Sequence, residues 1–349
     1  MISKYLSPND LIKTDKKTLS QIANELGAIE TGTNTEIVGN IWKMRGNKNF
    51  ETVMKNHQEN LFSHRGSYIT YKLVNGDLDK FTENYINEYL NRKVDIETED
   101  ITNTPTILSA YELSDSEILL KVTFRERFET RIYNEEVIKS PVIVQNNLLI
   151  DKANNLLEVR SNYDISKQII KFINSLDDNL RFVIPNIKKD KIKDELNATL
   201  ISSVGYTKNE QVVLNDNGKD AIENIITFID NCLENDVEQY DINHLKDQID
   251  VLKGEEEINN FVLLLLSGLG KLDLSSIFNS SNQEDLTQNS LYQMVEPFLE
   301  ANSMFLTVPF NNKGVIENFT IKVGFEKNVI TFVSMPTEAF VRHVRSKII

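Results

Sequence analysis

The stretch Asn147-Leu148-Leu149-Ile150-Asp151-Lys152-Ala153-Asn154-Asn155-Leu156-Leu157-Glu158-Val159-Arg160 decides the fold class of this chain. Two runs of strand-forming residues flank Asn154-Asn155, a pair suited to a tight hairpin turn. A helical pattern follows over Asp164–Leu176, with Ile165, Ile169, Ile170, Phe172 and Ile173 apolar. The same order recurs in Phe319-Thr320-Ile321-Lys322-Val323-Gly324-Phe325-Glu326-Lys327-Asn328-Val329-Ile330-Thr331-Phe332-Val333, after which Pro336-Thr337 opens a helix from Glu338 to about Ile348. Two β-β-α units are expected. They suggest a duplicated pair packed about a pseudo-twofold, although hairpin-plus-helix is also a common local arrangement.

Working outward, a period of two governs Ile107 to Arg160, with strands expected over Ile118–Phe124, Glu129–Tyr133, Val142–Ile150 and Leu156–Arg160. A second meander is expected over Met304–Val308, Glu317–Phe325 and Val329–Ser334. Between the two units the pattern reads as mostly helical, most clearly over Lys219–Leu233 and Ile258–Leu269, with a polar loop at Ser275–Asn289. Residues 50–92 read as interrupted helices, with strand-like alternation after Gly66, and residues 93–106 as an acidic linker ending near Pro105. The expected class is α+β. The expected segments are a helical module (1–49), a connector (50–106), a first hairpin–helix unit (107–180), a mainly helical region (181–300) and a second hairpin–helix unit (301–349).

Composition narrows the function classes. The 349 residues are 40% hydrophobic and 26% charged, which suits a globular protein with a sizeable core. Cys232 is the sole cysteine, so no internal disulfide and no cysteine-based zinc site can form, and a reducing compartment fits. It lies in an apolar helical run, where a buried inert thiol is expected. No signal-peptide pattern opens the sequence. The longest apolar run, Phe261–Leu266, is far short of the about 20 residues a membrane helix needs. A cytoplasmic protein without membrane contact is expected.

The net charge of −14 disfavours general nucleic-acid binding, because phosphate contacts need Lys and Arg. The charge is uneven. Residues 1–50 hold seven Lys/Arg against five Asp/Glu, whereas residues 230–258 hold ten acids against two lysines. Any contact must be local, and the acidic stretch reads as a solvated helical face.

Within the first fifty residues, Leu19, Ile22, Ala23 and Leu26 form one helical stripe ended by Gly27. A loop with Gly32 leads to a second helix over about Thr35–Met44, with Ile37, Val38, Ile41 and Trp42 apolar. Leu19, Leu26-Gly27, Gly32 and Glu36-Ile37-Val38 resemble the SAP module, over about 35 residues of the chain. The resemblance implies DNA contact, with the loop and the second helix N-terminus turned to a phosphate. SAP modules commonly carry a Lys or Arg after the second Gly, where this chain has Thr33-Asn34-Thr35. The charge must then come from Lys13, Lys16, Lys17, Lys43, Arg45 and Lys48.

Other constellations carry less. His64, Arg65, Tyr68, Tyr71 and Lys72, with Phe62, mix cations and aromatics as base-stacking surfaces do, but an ordinary alternating strand has the same composition. Asp151, Glu158 and Arg160 resemble the Asp and Glu-x-Lys pattern of metal-dependent nucleases, with Arg in place of Lys and no Pro-Asp start. A turn position is equally natural for Asp151. The histidines His57, His64, His244 and His343 form no metal-spaced pair, and Ser267-Gly268-Leu269-Gly270 reads as a helix ending. On the last helix, Arg342, His343, Arg345 and Lys347 suit the helix dipole.

No cofactor or metal is expected, and nothing argues for an enzyme. The leading expectation is a non-catalytic DNA-associated protein, with protein contact or self-association through the body. The alternatives are an interaction subunit of a multi-gene prokaryotic system, such as antiviral defence, and a nuclease using Asp151 and Glu158.

Overall fold

The computed structural model describes residues 1–134, 136–207, 272–273, 285–288 and 299–348. The expected helices Lys219–Leu233 and Ile258–Leu269, the thiol of Cys232, His244, the acidic stretch 230–258, the Ser267–Gly270 ending and most of the Ser275–Asn289 loop lie outside these residues. Contacts divide the chain into two units, Met1–Ala198 with Thr307–Ile349, and Thr199–Leu306.

The first unit is a mixed α+β structure built on one largely antiparallel sheet. Its centre is β1 (Gly66–Asn75). On one side the order runs through β5 (Leu156–Arg160), β4 (Glu136–Asp151) and β3 (Glu117–Tyr133) to β2 (Thr106–Glu112). On the other side lie β11 (Val329–Phe332), β10 (Val315–Gly324) and β9 (Leu299–Asn312), whose residues from Thr307 belong to this unit. A short strand, β6 (Arg181–Val183), pairs with the end of β1.

The central strand is shared lengthwise. Gly66, Ser67 and Tyr68 pair with β11, and Ile69 to Lys72 pair with β5. Both expected hairpin–helix units therefore meet on β1. Their turns match, since Asn155 and Asn328 both adopt positive φ, of 54° and 48°. Asparagine tolerates that conformation better than most residues.

The helices of the two units lie on opposite faces. α8 (Tyr163–Leu176) places Ile165, Ile169 and Ile173 against Ile69, Leu157 and Val159. α10 (Glu338–Ile348) puts Phe340 against Phe319 and Phe332, and its charged residues against Glu158 and Arg160. Strand residues alternate between faces, so odd-numbered Leu157 and Val159 meet α8 while Glu158 and Arg160 meet α10. This is the arrangement a twofold running along β1 would give.

The second face is also covered by the N-terminal helices α1 (Ile2–Tyr5), α2 (Pro8–Leu11), α3 (Lys16–Leu26), α4 (Asn34–Lys43), α5 (Phe50–Asn56) and α6 (Gln58–Leu61). α3 follows from its stripe. Asp15 caps it by accepting from Thr18 N at 2.9 Å, Leu19, Ile22, Ala23 and Leu26 are buried, and Gly27 closes it at φ 69°. These helices share one core with Leu119 and Leu149 of the sheet. The opposite face is covered by α8 and by a segment begun by α7 (Leu78–Phe81), which contributes Leu78, Phe81 and Ile86.

One strand pair outruns the core. β3 and β4 stay in register from Glu117↔Asp151 to Tyr133↔Glu136, with a bulge between Arg125 and Arg127. The expected strands Ile118–Phe124 and Glu129–Tyr133 are one continuous β3. Up to Phe124 its side chains are buried, whereas Phe128, Ile132, Val137 and Ile138 stand exposed on an arm beyond the bulge.

In the second unit, residues 199–207 correct the expectation of a mainly helical region. They form β7 (Thr199–Thr207), which pairs Val204 with Asp273 and Gly205 with Leu272 of β8 (Leu272–Asp273). The helical pattern of α9 (Lys189–Glu195) ends just before, where Asn197 turns to φ 49°. Among the described residues, no helix is long and apolar enough to cross a membrane.

Candidate functional site

The two faces of the hairpin residues 147–160 have different chemistry. Leu148, Ile150, Leu157 and Val159 enter the apolar core against α8. Asp151, Glu158 and Arg160 turn to the other face, where α10 brings arginines and a glutamate. Arg160 meets Glu338 through two parallel bonds, Nη1 to Oε2 at 2.8 Å and Nη2 to Oε1 at 2.6 Å. Its Nε donates to Glu158 Oε1 at 3.2 Å, and Nη1 also reaches the Phe62 carbonyl at 2.6 Å. Arg345 donates to Glu158 Oε2 at 3.1 Å and to Glu117 Oε1 at 2.9 Å, and lies 3.6 Å from Asp151. Arg342 grips Glu117 through Nε at 3.2 Å and Nη2 at 2.8 Å.

Four carboxylates thus face three guanidinium groups, all buried except Arg342. Burial raises the Glu338 carboxyl, but Arg160, with Arg345 and Arg342, outweighs it and holds the group below its usual range. Charge-assisted, bidentate pairs of this kind fix geometry strongly. They tie β3, β4 and β5 to α10.

This cluster accounts for the nuclease-like pattern. A divalent ion needs carboxylate oxygens free to coordinate it. Asp151 accepts from Asn154 N at 3.1 Å and Asn154 Nδ2 at 2.8 Å, and both oxygens of Glu158 hold arginines. Among the described residues, no group of three or more His, Cys, Asp or Glu is placed to hold a metal ion. A cleft of about 600 Å³ opens beside the cluster, lined by Lys72, Ser114, Ser116, Arg342 and Ser346 among others. Its two arginines are engaged by Glu117.

The weaker nucleic-acid group is dispersed rather than gathered. Tyr68 and Tyr71 are both buried and point to opposite faces of β1. The Tyr68 hydroxyl donates to the His64 carbonyl and accepts from His64 N, each at 3.0 Å, under the Arg160 guanidinium. Tyr71 bonds Ser166 at 2.8 Å. Burial, then the charges of Lys13 and Arg160, lowers His64 to about 3, so it stays neutral. Arg65 and Lys72 are exposed whereas the Tyr68 and Tyr71 rings are buried, so these cations and tyrosines do not share one open surface. The segment is a strand, β1, with both tyrosines turned inward.

The six cations of the helical module are all exposed. Lys13 lies within electrostatic reach of Asp10 and His64. Lys16 lies near the start of α4, where it adds to the lowering of Glu36 led by the Thr33 backbone bond. Arg45 lies past the other end, roughly 15 Å along a helix of this length. There it gathers with Lys93 and Lys4 about Asp95, whose carboxyl is held below its usual range first by Lys93 and then by Arg45 and Lys4. Lys43 and Lys48 flank Arg45 in the chain, and Arg45 stacks over Trp42 at 5.1 Å. Lys4 and Lys93 escaped the sequence reading because nothing in their spacing announces the meeting.

One expectation is corrected. The α4 N-terminus is not open to a phosphate, because a capping box fills it. Glu36 N donates to Thr33 Oγ1 at 3.4 Å, and Glu36 Oε2 accepts from Thr33 N at 2.7 Å. A carboxylate already sits where an anion would. Gly32 permits this: at φ 122° its missing Cβ would come within 2.7 Å of Glu36 Oε2.

The module is not a separate bead. Lys121 of β3 reaches into it, donating to Asp10 and to the Tyr5 carbonyl. Burial alone raises the Asp10 carboxyl, but Lys121 and the Ser7 hydroxyl outweigh it and lower it. Compared with known proteins, the chain matches no family model and no curated protein.

Proposed function

We propose that this chain is a non-catalytic, cytoplasmic DNA-associated protein. Its N-terminal helix–loop–helix, similar in outline to the SAP module, contacts duplex phosphates, and its α+β body serves protein contact or self-association. The observation that carries the DNA reading is the run of exposed cations Lys43, Arg45 and Lys48 at the end of α4, with Lys93, 3.0 Å from Asp95, and Lys4 exposed as well. In an acidic chain such a local patch is what phosphate binding requires. At the other end of the module, Lys16 lies within reach of the Glu36 carboxylate, which offsets its charge.

The test is duplex binding by fluorescence anisotropy across a salt series. Tight binding at low salt is expected to weaken steeply as salt rises, with a log–log slope of about −0.9 per phosphate contact. Lys43→Glu with Arg45→Glu and Lys48→Glu should abolish it, and reversal of Lys13, Lys16 and Lys17 should cost less. Undetectable binding at low salt, or binding indifferent to the first triple variant, refutes the proposal. Deletion of residues 1–49 is not a fair test, since it would strip Leu119 and Leu149 of their cover.

A further inference from the structure

The arm of the β3–β4 hairpin has two unequal edges. Along β4, Pro141 offers no backbone N–H and Lys139 is charged, both of which blunt an edge against pairing. Along β3 the neighbouring strand stops early. The last β2 pairing is Thr106↔Thr123, and one further bond joins Arg125 N to the Thr102 carbonyl at 2.7 Å. Among the described pairings, nothing occupies the outer edge of β3 from Arg127 onward.

That open edge is self-complementary. An antiparallel copy centred on Thr130 sets Glu129 opposite Arg131 and Phe128 opposite Ile132, twice over by symmetry. Glu129 and Arg131 already lie together, 3.0 Å apart, so two copies would form an alternating quartet of charges. Phe128 and Ile132 share a face of the ribbon with their partners Pro141 and Val137. Phe128 is 52% exposed, Ile132 76% and Val137 61%. A two-stranded ribbon with such a face is marginal alone in water. Opposite charges and apolar pairs directly across an antiparallel register stabilise it.

We propose that the β3 edge of this arm is a homodimer interface, in which a second copy of the chain adds its own β3 antiparallel about Thr130. The proposal rests on the self-association part of the function above and is independent of DNA contact. The paired edge is short, so the dimer forms and dissociates with concentration.

Sedimentation velocity over a concentration series tests it on the full chain. Wild type should show a monomer–dimer equilibrium. Glu129→Arg should weaken dimerisation by at least about tenfold without shifting the thermal midpoint, because both residues are exposed. Combining Glu129→Arg with Arg131→Glu should restore it, since the twofold pairs each with the other. Failure of that double variant to rescue overturns the register. A dimer indifferent to Glu129→Arg overturns the arm as the interface while self-association stands. A chain monomeric at every concentration overturns both, and leaves the DNA reading to its own test.

Discussion

The base and the arm of one hairpin make an instructive pair. Both are the same two strands in the same register, and the hydrogen-bond ladder runs through each. At the base, Leu119 and Leu149 are sealed under the N-terminal helices, and Lys121 is buried against Asp10. On the arm, Ile132, Val137 and Lys139 stand in solvent. Backbone pairing therefore extends strands beyond the point where side-chain burial supports them. The base is stabilised by what covers it, and the arm presents what the base conceals.

Substitutions matched across the two halves should separate them. The largest effect is expected from Lys121→Ala, which leaves Asp10 buried without its counter-charge and should cost about 3–5 kcal/mol in chemical denaturation. A loss below about 1 kcal/mol would mean that water reaches the pair and that the base is not sealed. Leu149→Ala comes next, at about 2–5 kcal/mol; a near-neutral result would remove the helices as its cover. Lys139→Ala and Val137→Ala, the same residue types on the arm or close to them, should stay within about 0.5 kcal/mol. If either destabilises the monomer like its counterpart, the arm has a cover within its own chain.

A smaller effect sharpens the comparison by pH. His64 is held to about 3 by burial, below its unfolded value, so it favours the folded state fully above about pH 6.5. That contribution is lost progressively as pH falls from there toward 3. Glu338 and Asp10, also lowered, add their own losses only below the ordinary carboxylate range. Urea midpoints should therefore decline between pH 6.5 and 5 in wild type and decline less in His64→Asn, where His343, also lowered by burial, supplies the remainder. An equal decline in both would place the titration elsewhere.

Much of the scaffold could be read from local pattern. The stripe ending at Gly27 and the turn at Asn154-Asn155 depend on neighbours a few residues away, and sequence displays such neighbours directly. β3 was read as two strands because its alternation breaks at charged Arg125, Glu126 and Arg127, which is where the bulge lies. The charge cluster was out of reach for a different reason. Asp151, Glu158 and Arg160 fit a metal pattern by spacing alone, while their true partners, Glu338 and Arg345, stand far along the chain. The Thr33–Glu36 capping box is a local pattern too, three residues apart, but the resemblance assigns Glu36 to a helix outline and leaves its carboxylate, which occupies the phosphate's place, without a role.

The division of β1 between two partners has a consequence for synthesis. Its second half can pair with β5 as soon as residue 160 has emerged, but Gly66 to Tyr68 must wait for residues 329–332. The same delay holds for Arg160, whose bidentate partner Glu338 is made later still. Between these events the ribosome delivers the whole of Thr199–Leu306. A nascent chain thus carries an open strand edge, and an arginine with Glu158 but without its bidentate partner, through that interval. Contacts so distant in sequence are slow to close, and an unpaired edge is where growing chains aggregate. The step at which this protein is most exposed to misfolding is set by the order of its segments, not by the strength of its finished contacts.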